Sequence, residues 1–208
     1  MTARIVILLV ALPALAGALD LEARWTWLQG PFQRRGELRL RALEDGPAAL
    51  RWTLPESALL PSAQVLLLDG EALLAWSEPE GAPGSLRPGD RRLAPLRALG
   101  AAFPAALISG RGLEGFLEIE SEGRERGWTL LRGRLAGHPA RLVLSRGRAR
   151  SLAWELPAGS LEFRWSRGLR RGEPRLLILP EGGGKLLLET LNCDPGPLEP
   201  AALFFREE

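Results

Sequence analysis

Alternation of apolar and charged residues with a period of two recurs along this chain and restricts its fold more than any other feature. Glu37-Leu38-Arg39-Leu40-Arg41 sets two leucines against three charges, and Leu117-Glu118-Ile119-Glu120 and Leu161-Glu162-Phe163-Arg164-Trp165 repeat the pattern. Successive side chains of a strand point to opposite faces, so each segment reads as a strand half-buried on one face. Turn signals separate such runs at short intervals: Asp45-Gly46-Pro47, Asp69-Gly70, Glu122-Gly123, Arg146-Gly147, Ala158-Gly159 and Gly182-Gly183-Gly184. That spacing describes a meander of hairpins, as in a sandwich or barrel. Asp69-Gly70 predicts a tight hairpin joining 64–68 to 71–76, its two residues suiting the left-handed dihedrals of a type I′ turn.

One stretch, 87–110, breaks the rhythm. Pro95 suits the first position of a short helix that carries Leu96, Leu99 and Phe103 on one side. Pro104 disfavours helix at Phe103 and opens a second turn through Leu107 and Ile108, ending at Gly110. A loop dense in Pro and Gly, 78–90, precedes this pair. The apolar supply is rich, since seven tryptophans occur with no tyrosine. They fill the core of a large sheet, or several line an apolar pocket beneath the two short helices.

The chain opens Met1-Thr2-Ala3-Arg4, runs apolar over 5–15, and reaches Ala16-Gly17-Ala18 before Leu19-Asp20. This is the pattern of a cleaved secretory signal, 1–18, with one domain expected over 19–208. A membrane anchor needs about 20 apolar residues, and Pro13 and Asp20 interrupt the run. Leu19 stands where a lipid-modified cysteine would be needed. Cys193 is the only cysteine, so no disulfide within the chain can staple the fold. The formal charge is +2 despite a pI near 9.4, and basic and acidic residues alternate along the strands. Nucleic acid is therefore not an expected partner. A monomer is expected, with weak attraction to anionic lipid through Arg164, Arg167, Arg170, Arg171 and Arg175.

The residue inventory speaks against an enzyme. His138 is the only histidine, and its neighbours Gly137 and Pro139 place it in a surface turn. Cys193, at the end of a strand, has no identifiable base to ionise it and is expected to be a buried or half-buried bystander. No serine occupies a nucleophile elbow, and Gly182-Gly183-Gly184-Lys185 lies between strands rather than before a helix. Glu118, Glu120 and Glu122 fall on the solvent face. No catalytic residue, metal site or cofactor is expected.

The order of the motifs resembles the LolA-type lipoprotein carrier superfamily, which includes LolB-like, LppX-like and RseB-like proteins. Phe32-Gln33 followed by Gly36-Glu37-Leu38-Arg39-Leu40-Arg41 is similar to the family's opening strand. Leu50-Arg51-Trp52-Thr53-Leu54-Pro55, the hairpin from Val65 through Asp69-Gly70 to Trp76, and Phe103-Pro104-Ala105-Ala106-Leu107-Ile108 follow in family order, and Leu203-Phe204-Phe205 ends the series. The resemblance implies a mainly β fold: a strongly curved antiparallel sheet, an unclosed β-barrel, with short helices covering its concave apolar face. It implies a periplasmic carrier of acylated lipoproteins or lipids, with an inner-membrane release complex as donor and an outer-membrane receptor as acceptor. An RseB-like sensor that binds lipid or peptide to regulate a membrane partner is the alternative. Candidate cavity and lid residues are Leu38, Leu40, Trp52, Trp76, Leu96, Leu99, Phe103, Leu107, Phe163 and Trp165. Arg41 matches the family's helix-latching arginine by position, although Ala42 stands where the family has proline.

Overall fold

The computed structural model describes residues 18–43, 46–53, 63–78, 94–167, 174–196 and 198–199, leaving aside the side chains of 63, 64, 75–78, 167, 174 and 195. The expected signal apart from its last residue Ala18, Asp45 of the first expected turn, the loop 78–90 beyond its first residue, Leu54-Pro55, Arg170, Arg171 and the closing Leu203-Phe204-Phe205 lie outside these residues.

Strands β1 (Leu19–Gln29), β2 (Phe32–Ala42), β3 (Ala48–Thr53), β4 (Ala63–Asp69) and β5 (Ala72–Glu78) form a first meander. Helices α1 (Ala94–Leu99) and α2 (Phe103–Ser109) and a 3₁₀ turn (Leu113–Phe116) follow. A second meander runs through β6 (Leu117–Glu125), β7 (Trp128–Leu135), β8 (His138–Ser145), β9 (Arg148–Leu156), β10 (Gly159–Arg167), β11 (Pro174–Pro180) and β12 (Lys185–Pro195). Strand β12 pairs with β1, so the two meanders fuse into one antiparallel sheet ordered β5-β4-β3-β2-β1-β12-β11-β10-β9-β8-β7-β6. The sheet is open, with β5 and β6 as its edges. To pass from one edge to the other the chain must cross the sheet, and this connection carries the helices.

Turn chemistry sets the register. Arg126-Gly127, Ala136-Gly137 and Arg146-Gly147 each occupy two-residue hairpin loops with φ of 49° and 81°, 50° and 76°, and 52° and 70°. Both central residues are left-handed, the type I′ requirement whose twist matches the flanking strands. Two expected turns move. Glu122-Gly123 lies inside β6, and the chain reverses at Arg126-Gly127 instead. In the first meander Asp69 pairs with Ala72, so the loop is Gly70-Glu71 and only Gly70 has positive φ, at 56°. That is a glycine-first turn rather than type I′.

One face of the sheet and the helices share a single core. Leu21, Leu40, Leu68, Leu135, Leu142, Leu152 and Leu176 are fully buried in it. Helix α2 contributes Phe103, Pro104, Ala105, Ala106 and Ile108, whereas α1 contributes no buried residue. Pro104 sits in the first turn of α2, where its missing N–H costs nothing, and Gly110 closes the helix at φ 66°. The core is unstapled, since Cys193 is unbridged. Among the described residues no helix is long and apolar enough to cross a membrane.

The sheet curls tightly. The β4–β5 turn belongs to the opposite end of the strand array from the β7–β8, β9–β10 and β11–β12 turns. Glu71 of that turn nevertheless shares a cavity with all three. A flat sheet would hold these turns a strand length apart.

Candidate functional site

The helix pair is pinned to the sheet at defined points. Trp165 Nε1 donates to Leu107 O at 2.9 Å, and the Ala149 backbone N–H donates to Gly110 O at 2.9 Å. A Cβ on Gly110 would lie 2.8 Å from the Trp165 ring, so glycine here serves both the left-handed cap and the close approach. Phe103 meets Phe116 and Trp154 edge-on, with centroids 5.4 and 6.1 Å apart, a favourable arrangement of ring quadrupoles. Trp154 Nε1 donates to Leu135 O at 3.0 Å, which removes the cost of burying its polar atom.

The sequence-derived candidates divide into three groups. Leu40, Phe103, Phe163 and Trp165 are buried core members. Leu38, Leu96, Leu99 and Leu107 are half-buried and pack against that core. Trp52 is half-buried on β3, while Trp76 lies in β5 with its side chain outside the described residues. The two helices lie at different depths: α2 buries five side chains in the core, whereas α1 rests on it through the half-buried Leu96 and Leu99.

Beneath α1 lies a cavity of about 920 Å³. Ala94, Pro95, Arg97 and Ala98 form its roof, and the turns Leu156-Pro157-Ala158-Gly159 and Pro180-Glu181-Gly182 form its walls, with Ala136, His138, Ser160 and Leu161. Leu156, Leu161 and Ala136 also pack against the core, so the cavity floor is its open end. Glu71, Arg97, His138 and Glu181 are the titratable groups of the lining. Glu181 is already engaged, accepting a hydrogen bond from the Ser160 backbone N–H at 2.8 Å. Apolar walls with a few polar groups are the usual make-up of a small-molecule pocket, and the volume falls within the customary range.

Of the ten candidate side chains, none of the nine that the structure describes lines this space. The signal that could have found it is the run of small and proline residues in consecutive turns, which leaves room where bulkier loops would close. Two expectations are corrected here. His138 is half-buried in the cavity wall rather than a surface residue, because Ala136-Gly137 makes the turn and His138 begins β8. Cys193 is exposed rather than buried or half-buried. It pairs with Leu21 at the far end of β1 from the cavity, so the thiol and the imidazole do not meet. Among the described residues no group of three His, Cys, Asp or Glu side chains could hold a metal.

Arg41 bonds Asp20, its Nε lying 3.1 Å from Oδ2, and Arg39 adds two hydrogen bonds to the same carboxylate at 2.8 and 3.0 Å. Alternation puts these groups on the face of β1–β2 opposite Leu40. Burial works to raise the Asp20 pKa, but the hydrogen bonds and charges of Arg39 and Arg41 outweigh it and hold the carboxyl below its ordinary range.

An open, curled antiparallel sheet crossed on its apolar face by a short helix pair is the architecture these features define. The fold is LolA-like. A LolA superfamily protein from Nitrosomonas europaea superposes over 92% of this chain and 91% of its own, with a TM-score of 0.57 and 12% identity. Looser likenesses link it to a domain assigned to outer membrane lipoprotein sorting from Vibrio parahaemolyticus, with a TM-score of 0.47, 10% identity and coverage of 90% and 89%. A DUF1329 family protein from Desulfovibrio piger follows at 0.43 and 11%, with coverage of 90% and 92%. No protein-family model and no curated protein matches the sequence.

Proposed function

We propose that this protein is a periplasmic carrier that holds the acyl chains of lipoproteins or other lipids and moves them towards the outer membrane. The observation that carries the reading is the cavity of about 920 Å³ beneath α1, set in a LolA-like fold. An acyl chain needs an apolar space and no chemistry, and a roof helix with no buried side chain can yield at little cost when the chain enters. Ala94, Pro95 and Ala98 of α1 would meet the ligand first; Leu96 and Leu99, which pack against the core, would join them as the helix yields, with Leu38, Trp52 and Trp76 along the sheet. Leu40, Phe103, Leu107, Phe163 and Trp165 would form the bed behind it. Export through the 1–18 signal, an inner-membrane donor and an outer-membrane acceptor complete the proposed cycle.

The test is a titration of the purified protein with a fluorescent fatty acid. Ala98 is exposed and lines the cavity, so Ala98→Trp should fill the space without disturbing the core. Saturable binding by the parent and at least a tenfold loss in the variant, with an unchanged melting curve, is the expected result. A parent that stays empty, both in this titration and when periplasmic material is extracted into organic solvent, while capturing one membrane regulator, would replace the carrier with the RseB-like reading.

A further inference from the structure

The β1–β2 hairpin ends in a tip that the core does not use. Among the described residues Phe32 there is the most exposed large apolar side chain, at 75%, and Leu28 across the hairpin is 37% exposed. Register explains how they are presented. Leu28 pairs with Gln33 and Gln29 with Phe32, so the two apolar side chains leave opposite faces of the ribbon and both clear the tip. Behind Phe32 the same face carries Trp27 paired with Arg34, Trp25 with Gly36, Ala23 with Leu38 and Leu21 with Leu40. Exposure falls along this row from the open tip to the fully buried Leu21 and Leu40. Glycine keeps it smooth: a Cβ on Gly36 would lie 2.6 Å from the Trp25 ring, and one on Gly184 2.5 Å from the Trp27 ring. An apolar track thus descends from the tip into the core.

Charge at the tip has one sign. Arg34 and Arg35 follow Phe32, and Lys185, the chain's only lysine, pairs with Leu28 from the neighbouring β12. Among the described residues no carboxylate lies within ion-pair distance of these three, whereas Arg39 and Arg41 further along β2 are both paired with Asp20. The tip also adjoins the proposed ligand site, because Gly184 and Lys185 continue the β11–β12 turn whose Pro180, Glu181 and Gly182 line the cavity.

We propose that the β1–β2 tip docks onto an anionic bilayer, with Phe32 and Leu28 entering the interface and Arg34, Arg35 and Lys185 facing lipid phosphates. A protruding apolar side chain gains little from a soluble acidic partner unless a matching pocket exists, but a bilayer interface accepts it anywhere, and three cations beside it add attraction to anionic headgroups. Docking in this orientation brings the cavity's end of the sheet to the membrane. Its use in loading cargo rests on the carrier reading; the contact itself does not.

Cosedimentation with vesicles of phosphatidylcholine, alone or mixed with phosphatidylglycerol, tests the proposal. Binding is expected only to the mixed vesicles, and it should weaken as salt is raised. Phe32→Ser should weaken it by about tenfold, and Arg34→Ala with Arg35→Ala by about thirtyfold, roughly fivefold for each charge. Trp128→Ser, which removes an exposed aromatic at the opposite end of the sheet, should change nothing. The proposal is overturned if the parent ignores phosphatidylglycerol, if it binds both vesicles alike, or if Trp128→Ser costs as much as Phe32→Ser. Fatty-acid titration of Phe32→Ser separates the two readings, since the residue lies outside the cavity. Vesicle binding by a protein that takes no fatty acid supports the docking surface and removes only its role in loading.

Discussion

Asp20 is held between two arginines on the outer face of β1 and β2, and the consequence is a pH dependence of known direction. Its folded pKa lies below the ordinary value, because hydrogen bonds and charge from Arg39 and Arg41 overcome the cost of partial burial. The unfolded chain therefore takes up this proton first as the solution is acidified. Stability from the group is complete above the unfolded value of about 3.9 and is lost as pH falls through the folded value. We expect Asp20→Asn to cost about 2 kcal/mol at neutral pH and to flatten the acid limb of a stability profile. Equal acid sensitivity in parent and variant would show that other carboxylates govern it. This constellation was not legible in the sequence. Arg41 stood out there only as a candidate latch, since nothing in a linear chain reveals that residues 19 and 21 positions apart form a triad. Alternation did reveal that Arg39 and Arg41 share a face opposite Leu38 and Leu40, which is why the apolar candidates converge while the charged ones pair elsewhere.

Helices α1 and α2 look alike in sequence, two short apolar segments each opened by a proline, yet packing separates them. Gly100, at φ 75°, ends α1 and lets α2 set off in a new direction. Five side chains of α2 are buried, and its carbonyls at Leu107 and Gly110 hold Trp165 and Ala149. Helix α1 has only the half-buried Leu96 and Leu99 against the core. Phe103→Ala should therefore cost about 3–5 kcal/mol, the range for deleting a fully buried ring. Leu99→Asp should cost only about 1–2 kcal/mol while abolishing fatty-acid binding, and the amides of α1 should exchange before those of α2. Melting curves and hydrogen exchange read both, and equal losses in the two variants would make α1 ordinary core. Both helices were legible because proline and glycine mark their bounds. Their different depths were not, since period and composition report an apolar face but not what covers it. The hairpins show the same division. Asp69-Gly70 and Glu122-Gly123 are better turn signals than Ala136-Gly137, yet register across the sheet places the reversals at Gly70-Glu71, Arg126-Gly127 and Ala136-Gly137. Arg126 and Ala136 take left-handed φ against their own preference, and the pairing on either side outweighs it.

An open sheet leaves two edges, and this protein has neither a closed barrel nor a disulfide to protect them. At β6 the risk is visible, for Ile119 and Trp128 are each 52% exposed beside a strand with one unpaired rim. Such a rim templates pairing with a second copy unless something blunts it. Two devices are present. A bulge between Ile119 and Ser121 breaks the regular ladder, and Gly133 opposite makes room for it, since a Cβ there would lie 2.0 Å from Glu118 O. Charge is the second: Glu118, Glu120, Glu122, Arg124 and Glu125 are all exposed along β6, with Arg134 bonding Glu120 and Arg124 bonding Glu122 at 3.1 Å. As exposed pairs these contribute little to stability, so their value lies in keeping the rim wet. These devices fit the expected monomer, and removing them tests it. Replacing Glu118, Glu120 and Glu122 together by valine should leave the core and the fatty-acid titration unaltered while making sedimentation depend on protein concentration, because the strand gains an unbroken apolar run over 117–120 and loses most of its charge. If the parent is already a dimer and the triple variant sediments like it, β6 is buried in an interface and its charges pair across it rather than holding a second copy away.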